Sequence, residues 1–225
     1  MLRNNNLLGL VLGTVYIFSI IGLAELLRKW RGYSSNFTRK VIHIGVGMMS
    51  WGLMFIFTSP WPFILMCLLF AVLLYLDYKF VFFPAMASQD KSNKGTIYFP
   101  LAAAACVYVF WAQPPLMVAS LMPLTWGDGL APVVGRAYGR RAYFVASHMR
   151  TVEGSAGFFV FGFLFTWLAL WVMPGPPMIS LASAFLPALA ITVATTAVEA
   201  VSIKGSDNLT ITAVSILILS LWPFP

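Results

Sequence analysis

Residues 7–27 read LLGLVLGTVYIFSIIGLAELL, an apolar run carrying a single charge, Glu25. Such a run is long enough for a helix to cross a hydrocarbon core of about 30 Å. It exceeds the apolar core of a signal peptide and no small-residue cleavage site follows, so a retained first helix is expected. Working outward, similar runs recur at roughly 41–57, 62–78, 96–112, 116–135, 154–173, 179–200 and 208–222. The last is short and ends in Trp222-Pro223-Phe224-Pro225, which suits a tilted or partial span. The runs are continuous rather than alternating, which disfavours a β-barrel. With 60% hydrophobic and 9% charged residues and a mean hydropathy of +0.86, the expected fold is all-α. It is a polytopic integral membrane helical bundle of seven or eight helices, with residues 1–225 forming one catalytic domain.

The connections alternate between two kinds. Those near residues 58–61, 113–115 and 174–177 are tiny and uncharged, whereas the others are longer and basic. This alternation puts every lysine and arginine except Arg3 on one face, Lys79, Lys91, Lys94 and Lys204 included. Basic loops mark the cytoplasmic side, so both termini are expected outside. The net charge of +7 therefore reflects topology and contact with anionic headgroups, and nucleic acid is not an expected partner. Cys67 and Cys106 both fall in apolar runs and read as packing residues, neither a disulfide nor a metal site.

Residues 125–155, TWGDGLAPVVGRAYGRRAYFVASHMRTVEGS, hold the chemistry. Asp128 lies eight residues before Arg136, roughly 12 Å into the membrane if helical. An acid at that depth costs several kcal/mol unless paired, hydrated or bound to a cation. The flanking Gly127 and Gly129, with Pro132, suggest a broken helix lining a polar cavity. Gly135 and Gly139 permit close backbone approach, and amides exposed at such turns bind phosphate oxygens. Arg136, Arg140, Arg141 and Arg150 suit a polyphosphate, while Asp128 and Glu153 suit magnesium or a substrate hydroxyl. A structural acid paired to arginine, and glycines serving only helix packing, are the plainer alternatives.

Three further clusters face the same side. Arg39, Lys40 and His43 share one helix face at the start of the second run, where histidine can orient or protonate a phosphate. Lys94 sits in the loop before the fourth run, beside Asp90 and Lys91. Glu199, Asp207 and Asn208 lie between the last two runs, with helix capping and an ion pair to Lys204 as their bland roles. Acids converging on one face make a divalent cation plausible. His148 lies in a basic loop and carries no signal of its own.

The pattern Asp128-x-x-Ala131-x-x-x-Gly135-x-x-x-Gly139, followed by Arg150-Thr151-x-Glu153-Gly154-Ser155, resembles the signature of the polyprenol kinase family. That family includes dolichol kinase, phytol and farnesol kinases and CTP-dependent diacylglycerol kinase. Arg150 stands where the family usually has lysine. Residues 38–43 resemble the family's basic-basic-x-x-His element, and Asp207-Asn208-Leu209-Thr210 resembles the Asp-Asn segment of phytol kinases. The resemblance implies transfer of the γ-phosphate of CTP, or UTP, to an isoprenoid alcohol, with Mg2+ as the divalent cation. It implies Asp128, Glu153 and His43 as catalytic groups, and Asp128, Glu153 and Asp207 as metal ligands. Lys40, Arg136, Arg140, Arg150 and Thr151, with Gly127, Gly129, Gly135, Gly139 and Gly154, would hold the nucleotide. Arg39, Lys94, Glu199 and Asn208 would support them. A bacterial inner membrane, with the site on its cytoplasmic face, is the expected host. The alternatives are nucleotidyl transfer to a lipid phosphate and a transporter with Asp128 on its broken helix.

Overall fold

The computed structural model describes residues 6–86, 94–145, 148–202 and 205–224, with only the backbone of His148. Arg3, Asp90, Lys91, Lys204 and Pro225 lie outside the described residues. Within them the chain is an all-α membrane-type bundle, and each apolar run coincides with one helical rod. The rods are α1 (Asn6–Arg31); α2 (Ser35–Gly47), extended by a tight 3-10 turn and the short α3 (Leu53–Ile56); α4 (Pro60–Phe80); and α5 (Gly95–Phe110). The second half contributes α6 (Pro114–Met122), which runs on into α7 (Gly129–Tyr138); then α8 (Val152–Val172), α9 (Leu181–Val201) and α10 (Asp207–Leu221). Four of these, α1, α4, α8 and α9, are long and apolar enough by themselves to cross a membrane.

Two rods are shorter. At 16 and 15 residues, α5 and α10 are roughly 24 and 22 Å long. They pack against each other, and each ends at a tryptophan, Trp111 and Trp222. At their other ends, Asn208 Nδ2 donates to the Gly95 carbonyl at 2.6 Å, so the two helices start level.

Between α7 and α8 lies a small antiparallel hairpin, β1 (Ala142–Val145) and β2 (His148–Thr151), with Tyr143 opposite Arg150. Two acids near the ends of α1 and α4 bind backbone here. Glu25 accepts from the Ala85 amide at 2.6 Å and Asp77 from the Phe83 amide at 2.7 Å. Thr38, buried, donates to the Ala85 carbonyl at 2.9 Å. Together they pin the chain after α4 against α1 and α2. Cys67 and Cys106 are buried free thiols.

The helix at Asp128 is not broken. A π-helical stretch, Pro123–Asp128, joins α6 to α7, and Asp128 and Gly129 keep helical backbone angles. Pro123 has no N–H and its ring crowds the carbonyl four residues back, so the turn widens instead of ending. Trp126 holds the widened turn in place. Its ring stacks on Phe165 of α8 at 3.9 Å, and its N–H points at the Met48 sulfur 3.2 Å away.

Candidate active site

Small residues bring α2 onto this widened turn. A Cβ on Gly129 would lie 2.6 Å from the Ile44 side chain, and one on Gly47 would overlap Thr125. In lipid, where apolar burial gives little drive, such close approach is how helices gain contact. It sets the register that places Lys40 and His43 one turn apart against Asp128.

Lys40 Nζ donates to the Asp128 carboxylate at 2.7 Å and to its backbone carbonyl at 2.8 Å. The carbonyl is available because its α-helical donor would be the N–H of residue 132, which is proline. His43 Nε2 lies 2.7 Å from the Leu124 carbonyl and 3.4 Å from the Asp128 carboxylate. A carbonyl only accepts, so Nε2 carries the proton. The His43 ring also packs on Phe99 of α5, centroids 4.6 Å apart. Asp128 is 8% exposed. Its charge is thus compensated inside the bundle by an ammonium and an imidazole N–H.

These groups sit at the polar end of a cavity with about 1190 Å³ of empty space, its open mouth included. The mouth is lined by Arg39, Lys40, His43, Asp128, Asp207 and Asn208. Gly95 and Thr96 at the start of α5, and Gly205 before α10, complete it. Helix N-termini carry exposed amides and partial positive charge, which favour phosphate. Pro100 adds a polar atom, since it leaves the Thr96 carbonyl without its helical donor. Beyond the mouth the lining is apolar save for Ser50, supplied by α1, α2 with the turn and short α3 after it, α4 and α5, with Met86 and Leu121.

The remaining expected site residues divide otherwise. Gly135, Gly139 and Gly154 meet around Thr151, not around the cavity. A Cβ on Gly135 would lie 2.8 Å from Thr151 Oγ1, one on Gly154 2.9 Å from the same atom, and one on Gly139 would overlap the Gly135 carbonyl. Gly127 faces Phe158, whose ring would be 3.1 Å from an added Cβ. Gly127 and Gly129 thus pack against Phe158 and Ile44, and Gly135, Gly139 and Gly154 gather around Thr151. Thr151 caps α8, accepting from the Gly154 amide at 3.0 Å. Glu153 accepts from the amides of Arg140 and Arg141 at 3.0 and 3.2 Å, closing the turn that starts the hairpin. It lies outside the cavity lining, as do the exposed Arg136 and Arg140. Lys94 is exposed just before α5. Arg150 forms a buried ion pair with Glu199 and donates to the Ser202 carbonyl at 2.9 Å. This bond ties the hairpin to the end of α9.

The expected metal triad is divided in the same way. Asp128 and Asp207 line the mouth and Glu153 does not. Among the described residues no group of three or more His, Cys, Asp or Glu is gathered to hold a metal. Two carboxylates do suit magnesium, which usually takes one or two of them and completes its shell with water and substrate phosphates. Sequence reasoning missed Thr96 and Phe99 at the mouth and the shape of the apolar chamber. It also missed the signal of Gly9 and Gly13, a small-residue pair four apart on α1.

No family model matches the chain, and no solved structure does. Curated relatives do match. The phytol kinase of Synechocystis sp. is 28% identical over 209 residues, covering 92% of this chain and 88% of that one. A probable chloroplastic phytol kinase of Zea mays is 30% identical over 168 residues, and the chain spans 54% of its length. The chloroplastic farnesol kinase of Arabidopsis thaliana is 27% identical over 222 residues, covering 91% and 71%. These similarities support a lipid-alcohol kinase. More particularly, the chain is similar to phytol and farnesol kinases at 27–30% identity.

Proposed function

We propose that the protein transfers the γ-phosphate of CTP or UTP to an isoprenoid alcohol such as phytol, farnesol or geranylgeraniol. The setting is a bacterial inner membrane, with the site opening to the cytoplasm, and residues 1–225 acting as one catalytic domain. The observation that carries the reading is a paired acid, Asp128, at the polar end of an otherwise apolar chamber. A prenyl tail fits the chamber, and its hydroxyl then lies beside Asp128 and Lys40.

In this reading Asp128 accepts the hydroxyl proton as the alcohol oxygen attacks the γ-phosphorus. The bond from that phosphorus to the β-γ bridging oxygen breaks, and the nucleoside diphosphate leaves. Lys40 moves from the Asp128 carboxylate to the phosphate as charge develops there. His43, its Nε2–H engaged by the Leu124 carbonyl, keeps its ring beside Asp128. The starts of α5 and α10, with Arg39, receive the remaining phosphates. Arg39 and Lys40 balance Asp128 and Asp207, so the lining has no surplus positive charge for a triphosphate. Magnesium held by Asp128 and Asp207 would supply that charge. Arg150 and Glu199 act by holding the hairpin in place, and Glu153 by closing its turn.

The test uses purified protein with an isoprenoid alcohol and CTP or UTP labelled at the α- or γ-phosphate. The expected product carries the γ-label. Transfer of the α-label with release of pyrophosphate would instead mean nucleotidyl transfer. An Asp128→Asn variant should fold and lose about 10²-fold or more in turnover.

A further inference from the structure

The cavity has a definite far end. Its lining follows α2 and the turns after it from Lys40 to Leu53, roughly 20 Å at a helical rise. On the antiparallel α4 it runs from Leu74 out to Phe63, roughly 16 Å. At that depth stand Met49, Leu53, Phe63 and Met66, all between 0 and 8% exposed, so the chamber is shut off from the surrounding lipid there.

The wall is seated in a notch on α1. A Cβ on Gly13 would lie 2.6 Å from the terminal methyl of Met49 and 3.3 Å from that of Met66. One on Gly9 would lie 2.9 Å from the ring of Phe57, which in turn packs on Phe63 with centroids 5.9 Å apart. Thr14 Oγ1 points at the Met66 sulfur 3.9 Å away. Two glycines thus let bulky side chains lean back against α1 and leave the chamber its present depth.

We propose that Met49, Phe63 and Met66 set the longest isoprenoid tail the protein accepts, a reading that rests on its being a lipid-alcohol kinase. With the hydroxyl held near Lys40 and Asp128, the terminal isoprene unit meets this wall. A longer alcohol has to fold back or is refused. Phe63 is the rigid part of the stop. The two methionines are the adjustable part, since their unbranched side chains take several shapes at little cost.

The experiment compares farnesol, geranylgeraniol and the much longer solanesol as acceptors of full-length protein. Phe63→Ala and Met66→Ala should each raise kcat/KM for the longer alcohols relative to farnesol, by about tenfold or more. Gly13→Ala should shift the ratio the other way, because the new methyl drives the end of Met49 into the chamber. Leu65→Ala, on the same helix but 55% exposed toward lipid, should leave the ratio alone. A second measurement uses geranylgeraniol with a photoreactive group on its last isoprene unit, expected to label residues 63–66. Labelling there without phosphorylation of any alcohol would remove the kinase reading and keep the wall as the tail's end point. Phosphorylation with ratios unmoved by Phe63→Ala and Met66→Ala, or labelling elsewhere, would overturn the proposal.

Discussion

Pro132 and Lys40 meet through one atom: the Asp128 carbonyl, which the proline cannot engage, accepts from the lysine at 2.8 Å. A residue that weakens the helix thereby supplies the second anchor for the site's main cation. Pro132→Ala restores an N–H that competes for that carbonyl. The thermal midpoint should hold or rise, since a proline in a helix interior is unfavourable. Turnover should fall severalfold, as Lys40 is left with the carboxylate alone. Unchanged turnover in the variant would show that the carbonyl contact does not position Lys40.

Glu153 tests whether nearness to a motif means chemistry. Its carboxylate is engaged by the Arg140 and Arg141 amides. Glu153→Ala should lower the thermal midpoint through the loosened turn and reduce turnover by less than about tenfold, well short of losing a proton-transfer group. A loss as large as that of Asp128→Asn, with the midpoint intact, would return Glu153 to the catalytic set.

Arg150 and Glu199 form a pair 19 and 7% exposed. Removing only the arginine strands a buried carboxylate, at a cost of about 3 kcal/mol or more. Arg150→Met should therefore depress the melting temperature in detergent strongly. Joined with Glu199→Gln it should recover most of the loss, because no charge is then left unpaired. If the double variant melts no higher than the single one, the pair's importance lies elsewhere than in mutual compensation.

Much of this architecture is legible in the chain. Membrane helices announce themselves by length and hydropathy, and the runs at 7–27 and 62–78 lie within α1 and α4. The meeting of Lys40 and His43 with Asp128 follows from three polar residues that would each be costly in lipid alone. The glycine pattern was ambiguous for a physical reason. Missing side chains serve a phosphate and a neighbouring element equally well, and the contact of Gly135, Gly139 and Gly154 with Thr151 appears only once the hairpin is in place. The part Glu153 plays in closing the turn was hidden because its donors lie 12 and 13 residues upstream. The chamber was hidden because Met49, Phe63 and Met66 look like any span residues until helices are placed around them. The widened turn at Asp128 read as a break because proline and glycine weaken a π-helical turn and a true interruption in the same way.

The level start of α5 and α10 has a consequence for the membrane itself. Two adjoining helices, each several ångströms shorter than the hydrocarbon core, create a hydrophobic mismatch along one flank. Trp111 and Trp222 favour the headgroup level at the opposite ends. A bilayer that thins beside this pair would bring headgroups and water toward the flank where Gly95 and Asn208 frame the mouth. An alcohol arriving from the leaflet would meet the nucleotide in that depression without leaving the membrane or drawing Asp128 out of it.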